Sequence, residues 1–278
     1  MIDAARARES ALSPEAIAQA AALFVTARRT GTPLAALPEA CRPMNTADVN
    51  AIVDAVTERL TREDGETIGG WKIGFVYSPR QKPMICPLFE SRLFPSPARV
   101  PRARVPSLRI EPEISFRLIR DLPARTAPYR PAEVADALVA CPSLEMVDTR
   151  FDTQRRTLRE MIDNPKSRLE AMADHNTTGA YITAEGRADW QSFDFASMRV
   201  VMRTPSRVLV ETIGGHAFVD PFLPCVVLVN EMRHRGGVRA GELLVTGSFS
   251  GFFAVEADEP VTAEFEGFGS ARATFSST

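Results

Sequence analysis

Two glutamates one residue apart inside an apolar run restrict this chain more than any other feature. They are Glu111 and Glu113 in the stretch Arg109-Ile-Glu-Pro-Glu-Ile-Ser-Phe-Arg-Leu118. Side chains of an extended strand repeat every second position, so both carboxylates face one side and Ile110, Pro112 and Ile114 the other. Pro112 has no N–H to give a sheet ladder and predicts an edge or a bulge. Two like charges side by side on a half-buried strand repel. That is tolerable where both are solvated, where one is protonated, or where a cation lies between them.

A third carboxylate bears on the choice. Glu145 lies in Ser143-Leu-Glu-Met-Val-Asp148, a strand by its composition, with Leu144, Met146 and Val147 around it. A carboxylate in so apolar a run sits at a strand end in water or is held by a partner. Three converging carboxylates, with water completing the shell, suit a hard divalent cation such as Mg²⁺ or Mn²⁺. Zinc is not indicated, because no His or Cys is spaced to join them.

Of the 33 basic residues only Lys72, Lys82 and Lys166 are lysine, and lysine, unlike arginine, can release its proton. Lys72 stands in Gly69-Gly-Trp-Lys-Ile-Gly-Phe75, a short glycine-bounded strand with close backbone approach. Desolvated near a metal, its ammonium would have a lowered pKa and exchange protons near neutrality. The plainer alternative is a surface lysine with its stem laid along apolar neighbours. Val245-Thr-Gly-Ser-Phe249 reads as a strand entering a turn whose N–H groups and hydroxyls can hold a carboxylate, or as an ordinary turn.

Composition narrows the class. At 278 residues, with 45% hydrophobic and 24% charged residues, the chain can bury a sizeable core as an ordinary globular protein. A net charge of −2 gives no reason to expect nucleic acid or an anionic membrane as partner, and points to a small molecule or another copy of the chain. Cys41, Cys86, Cys141 and Cys225 are scattered without a C-x-x-C pair, which predicts free thiols in a reducing compartment. With no signal-peptide core and no 18-residue apolar run, the expected location is the cytoplasm.

Residues 1–65 read as an N-terminal helical region. Ser13-Pro14 caps a first helix with Ile17, Ala20, Ala21, Phe24 and Ala27 on one stripe. Asn45-Thr46 caps a second with Val49, Ile52, Val53, Val56 and Leu60. Both stripes are candidates for an oligomer interface. Residues 66–278 form the expected catalytic domain. Within it the proline-rich segment 79–107 is expected to be largely irregular, Pro131–Ala140 a short helix, and the charged segment 149–173 a helical surface excursion. Asp174-His-Asn-Thr-Thr-Gly179 reads as a polar loop entering the strand Ala180–Thr183. After residue 199 strands dominate, with one helix from Pro224 to His234 closed by Gly236-Gly237. Strands this frequent, without regular alternation with helices, predict an α+β fold, a β-rich mixed roll, rather than a doubly wound sheet.

The ordered set Gly70-Trp-Lys-Ile-Gly74, Ile110-Glu-Pro-Glu-Ile-Ser-Phe116, Leu144-Glu-Met-Val-Asp-Thr-Arg150, Asp174-His-Asn-Thr-Thr-Gly179, Leu244-Val-Thr-Gly-Ser248 and Phe265-Glu-Gly-Phe-Gly269 resembles the fumarylacetoacetate hydrolase superfamily. It is most similar to the 2-keto-4-pentenoate hydratase and 4-oxalocrotonate decarboxylase branch, over residues 46–278. The resemblance implies that Glu111, Glu113 and Glu145 hold Mg²⁺ or Mn²⁺, which chelates the 2-keto or 2-enol carboxylate unit of a substrate, and that Lys72 assists proton transfer. It also implies that Asp174, Asn176, Thr246, Gly247 and Ser248 meet the substrate, and that the chain is a homo-oligomer.

The expected activity is addition of water to a 2-hydroxy-2,4-dienoate. The alternatives are decarboxylation or C–C hydrolysis of a related 2-keto acid, and non-catalytic keto-acid binding on the same fold. One departure matters. Where the hydratases carry an acidic residue after the lysine strand, this chain has Met84-Ile-Cys-Pro87, so it either uses another group, with Glu90 or His175 as replacements, or does different chemistry.

Overall fold

The computed structural model describes residues 10–75 and 82–278. The chain folds as two compact units: residues 1–67, 74–87 and 149–178 make up one, and residues 68–73, 88–148 and 179–278 the other. The expected N-terminal helical region thus falls in the first unit, together with two later segments.

In the first unit, α1 (Pro14–Thr30) starts at Ser13, whose hydroxyl accepts from the N–H of Ala16, and stops at Gly31 in the left-handed conformation. α2 (Thr46–Glu63) starts at Asn45, whose side chain accepts from the N–H of Asp48. The apolar stripes of the two helices are buried, and the helices pack on each other. The stripes are therefore core within one chain. Phe24 of α1 meets Phe151 edge to face at 5.6 Å.

The segment 149–173 carries α3 (Leu158–Asp163), with a capping box from Thr157 to Glu160, and α4 (Pro165–Ala173). The expected surface excursion is corrected for α4, where Ser167, Leu169, Glu170, Ala171, Met172 and Ala173 are all buried. Its charge misled, because Glu170 is buried among its partners Arg42 and Arg156.

The second unit holds the larger sheets. Along the chain run β1 (Ile68–Gly74), β2 (Met84–Phe89, which begins in the first unit), β3 (Leu93–Pro95), β4 (Ala98–Pro101), β5 (Arg109–Leu118) and β6 (Leu122–Pro123). The expectation of an irregular 79–107 is overturned wherever the structure describes it, by β2, β3 and β4 and short 3-10 turns. Residues 79–81 lie outside the described residues. Prolines punctuate here: Pro95 and Pro101 stand at the last positions of β3 and β4, where a missing N–H costs little.

Then follow α5 (Pro131–Ala135), β7 (Leu138–Val147), β8 (Thr178–Thr183), β9 (Arg199–Arg203), β10 (Val208–Ile213), α6 (Phe222–Met232), β11 (Gly237–Val238), β12 (Leu243–Val245), β13 (Phe253–Ala254), β14 (Pro260–Phe265) and β15 (Gly269–Ser276). The expected helix 131–140 is corrected to five residues, after which Leu138 opens a strand reaching Val147. Val139 and Ala140 are drawn into pairing with β5.

One sheet runs β1-β12-β5-β7-β8-β3, with β13 also on β5, and a second runs β10-β9-β14-β15-β4. Gly70 makes the first pairing possible: a Cβ there would lie 2.3 Å from the carbonyl oxygen of Leu243. The mixed helix and β-rich architecture is the one expected. Pro112 is a correction, since β5 is central, between β7 and β12. Its imide nitrogen falls where the neighbour on one side changes from β13, at Arg109 and Ile110, to β12, at Phe116 and Arg117. A missing N–H costs no ladder bond there. Among the described residues no helix is long and apolar enough to cross a membrane.

Candidate metal and keto-acid site

The register of β5 on β7 builds the centre. Glu111 stands directly opposite Glu145, and Glu113 opposite Ser143. Opposed residues of an antiparallel pair share a face, and so do residues two apart, so all three glutamates point the same way. One oxygen from each lies within 4.8 Å of the others, close enough to hold one metal ion. Glu113 and Glu145 are 0% exposed, which removes the solvated-face reading. Ser115 and Ser143, in the alternating positions beyond, join their hydroxyls at 2.5 Å.

Lys72 on β1 enters from two strands away, in register with Val245 of β12. Its Nζ donates to both oxygens of Glu145, at 2.7 and 2.6 Å, and the residue is 4% exposed. Tyr181 of β8 completes the face. It is fully buried, its ring centroid lies 5.6 Å from the Lys72 Nζ, and its hydroxyl makes no hydrogen bond. Sequence reasoning missed Tyr181. The available signal was a phenol in the middle of the apolar strand Thr178–Thr183, since buried tyrosine hydroxyls usually find a partner.

The electrostatics follow from crowding. Burial, then the charge of Glu145, pushes the carboxyl of Glu111 up to about 8. Burial and the charges of Glu145 and Glu111 push Glu113 well above the carboxylate range. Burial alone would lower the pKa of Lys72, but Glu145, Glu113 and Glu111 together outweigh it and keep the ammonium charged. The lowered lysine pKa is expected beside a metal, and this charge state belongs to the metal-free protein. The cause is three carboxylates within reach rather than one cation.

The carboxylates suit a divalent cation on the structure's own terms. Both oxygens of Glu113 are buried and make no hydrogen bond, a costly state that a hard cation relieves. Metal-free stability carries the matching signature. A folded-state pKa raised to about 8 means that Glu111 holds a proton which the unfolded chain releases near the ordinary carboxylate value. Its contribution to stability is whole at acid pH and is lost as pH rises through about 8. Denaturant unfolding in EDTA is expected to show this downward slope between about pH 5 and 8 in the native protein and a flatter one in Glu111→Gln.

The other candidate residues divide between the units. In the second, Thr246, Gly247 and Ser248 form the turn after β12, and Ser248 makes an antiparallel bridge with Glu113. The Ser248 hydroxyl and the Phe249 N–H both donate to the carbonyl of Pro112, at 3.2 and 3.1 Å, tying the turn to the residue between the two glutamates. In the first unit, Asp174 is fully buried. It accepts from the Arg150 Nε at 2.6 Å, the Arg150 N–H at 2.7 Å and the Thr149 hydroxyl at 2.9 Å, and Arg28 lies at 3.6 Å.

Asn176 is half-buried in a left-handed conformation, with its side-chain amide beside Gly74. Of the residues considered for the missing acid, Glu90 is exposed and His175 is buried in the first unit. Met84–Pro87 belongs to the wholly buried β2.

No family model matches the chain. Over 267 residues it is 27% identical to a 2-keto-4-pentenoate hydratase of Burkholderia vietnamiensis (strain G4 / LMG 22486), covering 93% of this chain and 97% of that one. The 4-oxalocrotonate decarboxylase from Pseudomonas putida G7, solved with magnesium and adipate, superposes with a TM-score of 0.75 at 22% identity, covering 96% and 99% of the two chains. A putative fumarylacetoacetate hydrolase family protein from Yersinia pestis CO92 superposes with a TM-score of 0.53 at 14% identity, over 76% and 93%.

The chain shares the fold of the 4-oxalocrotonate decarboxylase and of that fumarylacetoacetate hydrolase family protein, and carries a three-carboxylate centre on its sheet in which Glu113 and Glu145 are fully buried. Its sequence is similar over nearly its whole length to those of 2-keto-4-pentenoate hydratases.

Proposed function

We propose that this chain is a divalent-metal-dependent hydro-lyase that adds water to a 2-hydroxy-2,4-dienoate and yields a 4-hydroxy-2-keto acid. The observation that carries the reading is the convergence of Lys72, Glu111, Glu113 and Glu145 in one largely buried cluster. The similarity to hydratases along nearly the whole chain supports it.

Glu111, Glu113 and Glu145 are the residues that would hold Mg²⁺ or Mn²⁺, which supplies Lewis-acid polarisation of the 2-oxygen and charge neutralisation for the dienolate. The chain's own residues do the rest. Lys72, held charged against Glu145, keeps a proton at Nζ for the distal carbon of the dienol. The Lys72–Glu145 pair takes the proton of the 2-hydroxyl in return, leaving a 2-keto-3-enoate, and then passes the proton of water to C3 as its hydroxyl adds at C4, so the product is the 2-keto acid and the site returns to its starting state. The turn Thr246-Gly247-Ser248 receives the carboxylate. Burial of the cluster excludes bulk water from competing at these atoms.

Metal dependence gives a direct check. Mg²⁺ or Mn²⁺ at ~100 times its dissociation constant is expected to stabilise the native protein by about 2.7 kcal/mol, raising the midpoint by several degrees. Glu113→Ala is expected to abolish that shift. An equal shift in both would remove Glu113 from the metal site.

The decarboxylase of similar fold favours one second reading, loss of CO₂ from a 2-keto acid with two carboxylates. Following both the 4-hydroxy-2-keto product and CO₂ from a dienoate panel separates the two. Saturable metal and keto-acid binding with neither product would instead support a non-catalytic binder.

A further inference from the structure

His216 belongs to none of the motifs that point to a keto-acid site, yet the fold brings it to the same turn. The residue is 5% exposed, and its ring lies between Phe218 and Phe249 at centroid distances of 6.0 and 5.6 Å. The N–H of Phe218 donates to its Nδ1 at 3.2 Å. A ring that accepts at Nδ1 carries its proton at Nε2, so the tautomer is set by the backbone. That Nε2 is buried and makes no hydrogen bond, and the same holds for the hydroxyl of Thr246.

Gly247 separates the two. Its φ is +115°, and the Cβ it lacks would meet within 4 Å, among the described residues other than its chain neighbours, only the His216 Nε2, at 3.9 Å. Open space therefore lies over the glycine with one unused donor at its border and another on the preceding residue. Buried donors without acceptors are rare, and each is relieved by an acceptor that enters. The place is tied to the carboxylate cluster on both sides, since Val245 is in register with Lys72 and Ser248 bridges Glu113.

We propose that His216 Nε2–H and the Thr246 hydroxyl, across Gly247, form a two-donor subsite for the carboxylate of the bound 2-keto acid. The inference rests on the reading of the cluster as a metal and keto-acid site, and adds to it the residue that orients the acid. A carboxylate fits because each of its oxygens has a lone pair to spare for such donors when others are engaged elsewhere. Burial lowers the imidazole pKa to about 4, over a smaller opposing effect of the Thr246 backbone, so the ring is an uncharged donor at neutral pH. The positive charge at the centre is left to Lys72 and the cation.

The test is calorimetric titration of oxalate into Mn²⁺-loaded native, His216→Ala and His216→Gln proteins, with Mn²⁺ affinity measured separately on each. Loss of one hydrogen bond to a charged group is expected to weaken oxalate by ~10-fold or more in His216→Ala, with Mn²⁺ affinity unchanged. His216→Gln is expected to recover most of the loss, because its amide carries a donor to the position of Nε2. Should His216→Ala not fold, Thr246→Val removes the partner donor at nearly constant volume and is expected to show the same loss.

Equal oxalate binding by native and His216→Ala proteins would overturn the proposal alone, and so would equal losses in the alanine and glutamine variants. A native protein that binds Mn²⁺ and no oxalate would overturn it together with the keto-acid reading beneath it.

Discussion

Lys72→Met is expected to lower turnover of a 2-hydroxy-2,4-dienoate by about 10²- to 10⁴-fold, the usual worth of a positioned proton donor. Nζ sits 2.6 to 2.7 Å from both oxygens of Glu145, so the substitution removes a donor and leaves a buried carboxylate uncompensated. Breaking one side of a buried ion pair costs about 3–5 kcal/mol. In EDTA the variant is therefore expected to be much less stable than the native protein.

Added Mg²⁺ is expected to restore much of the stability and little of the turnover. Steady-state kinetics and denaturant midpoints on one preparation check both halves. Full turnover in Lys72→Met would end the proton-transfer role.

The second large effect is expected away from the centre, at Asp174. The resemblance to known enzymes implies that this residue meets substrate. In the structure its oxygens are occupied by the Arg150 guanidinium and N–H and the Thr149 hydroxyl. Asp174→Ala takes the carboxylate from the part-buried Arg150 guanidinium and leaves it the carbonyls of residues 174 and 178, at a cost of about 3–5 kcal/mol, equivalent to a drop of roughly 10 °C in the midpoint. Differential scanning calorimetry with KM measured below the transition separates the roles. A large fall in Tm with KM nearly unchanged marks an anchor of the first unit. A raised KM at unchanged Tm would mark a substrate contact.

Much of the architecture is legible from periodicity and caps. Ser13 and Asn45 start α1 and α2 where the capping chemistry puts them, and the Glu111–Glu113 strand and its shared face follow from alternation alone. The failures have local causes. The prolines of 79–107 read as irregular structure because sequence does not reveal whether a proline ends a strand or prevents one. Pro112 read as an edge signal because a central strand that changes neighbours partway leaves no trace in composition. The opposition of Glu111 to Glu145 is a fact of register between strands far apart in sequence, which no local pattern encodes.

The same limit hid the residues near the carboxylate cluster and its turn that carry no motif. Tyr181 and His216 are single polar residues in apolar company, and only the strands beside them show what they face. Lys72 was visible as one of three lysines, but its charge state is set by carboxylates 39 to 73 positions further along the chain.

The carbonyl of Pro112 accepts from both the Ser248 hydroxyl and the Phe249 N–H. This carbonyl is flanked in the chain by the two glutamates, so whatever fixes Glu111 and Glu113 also fixes the turn through a backbone clamp a few bonds long. On the proposed function, occupancy of the two halves of the centre would then be coupled. An ion that ordered the carboxylates would prepare the turn for its acid, and by thermodynamic reciprocity the acid would tighten the ion by the same factor. One proline carbonyl would make ion and acid mutual effectors within a single site.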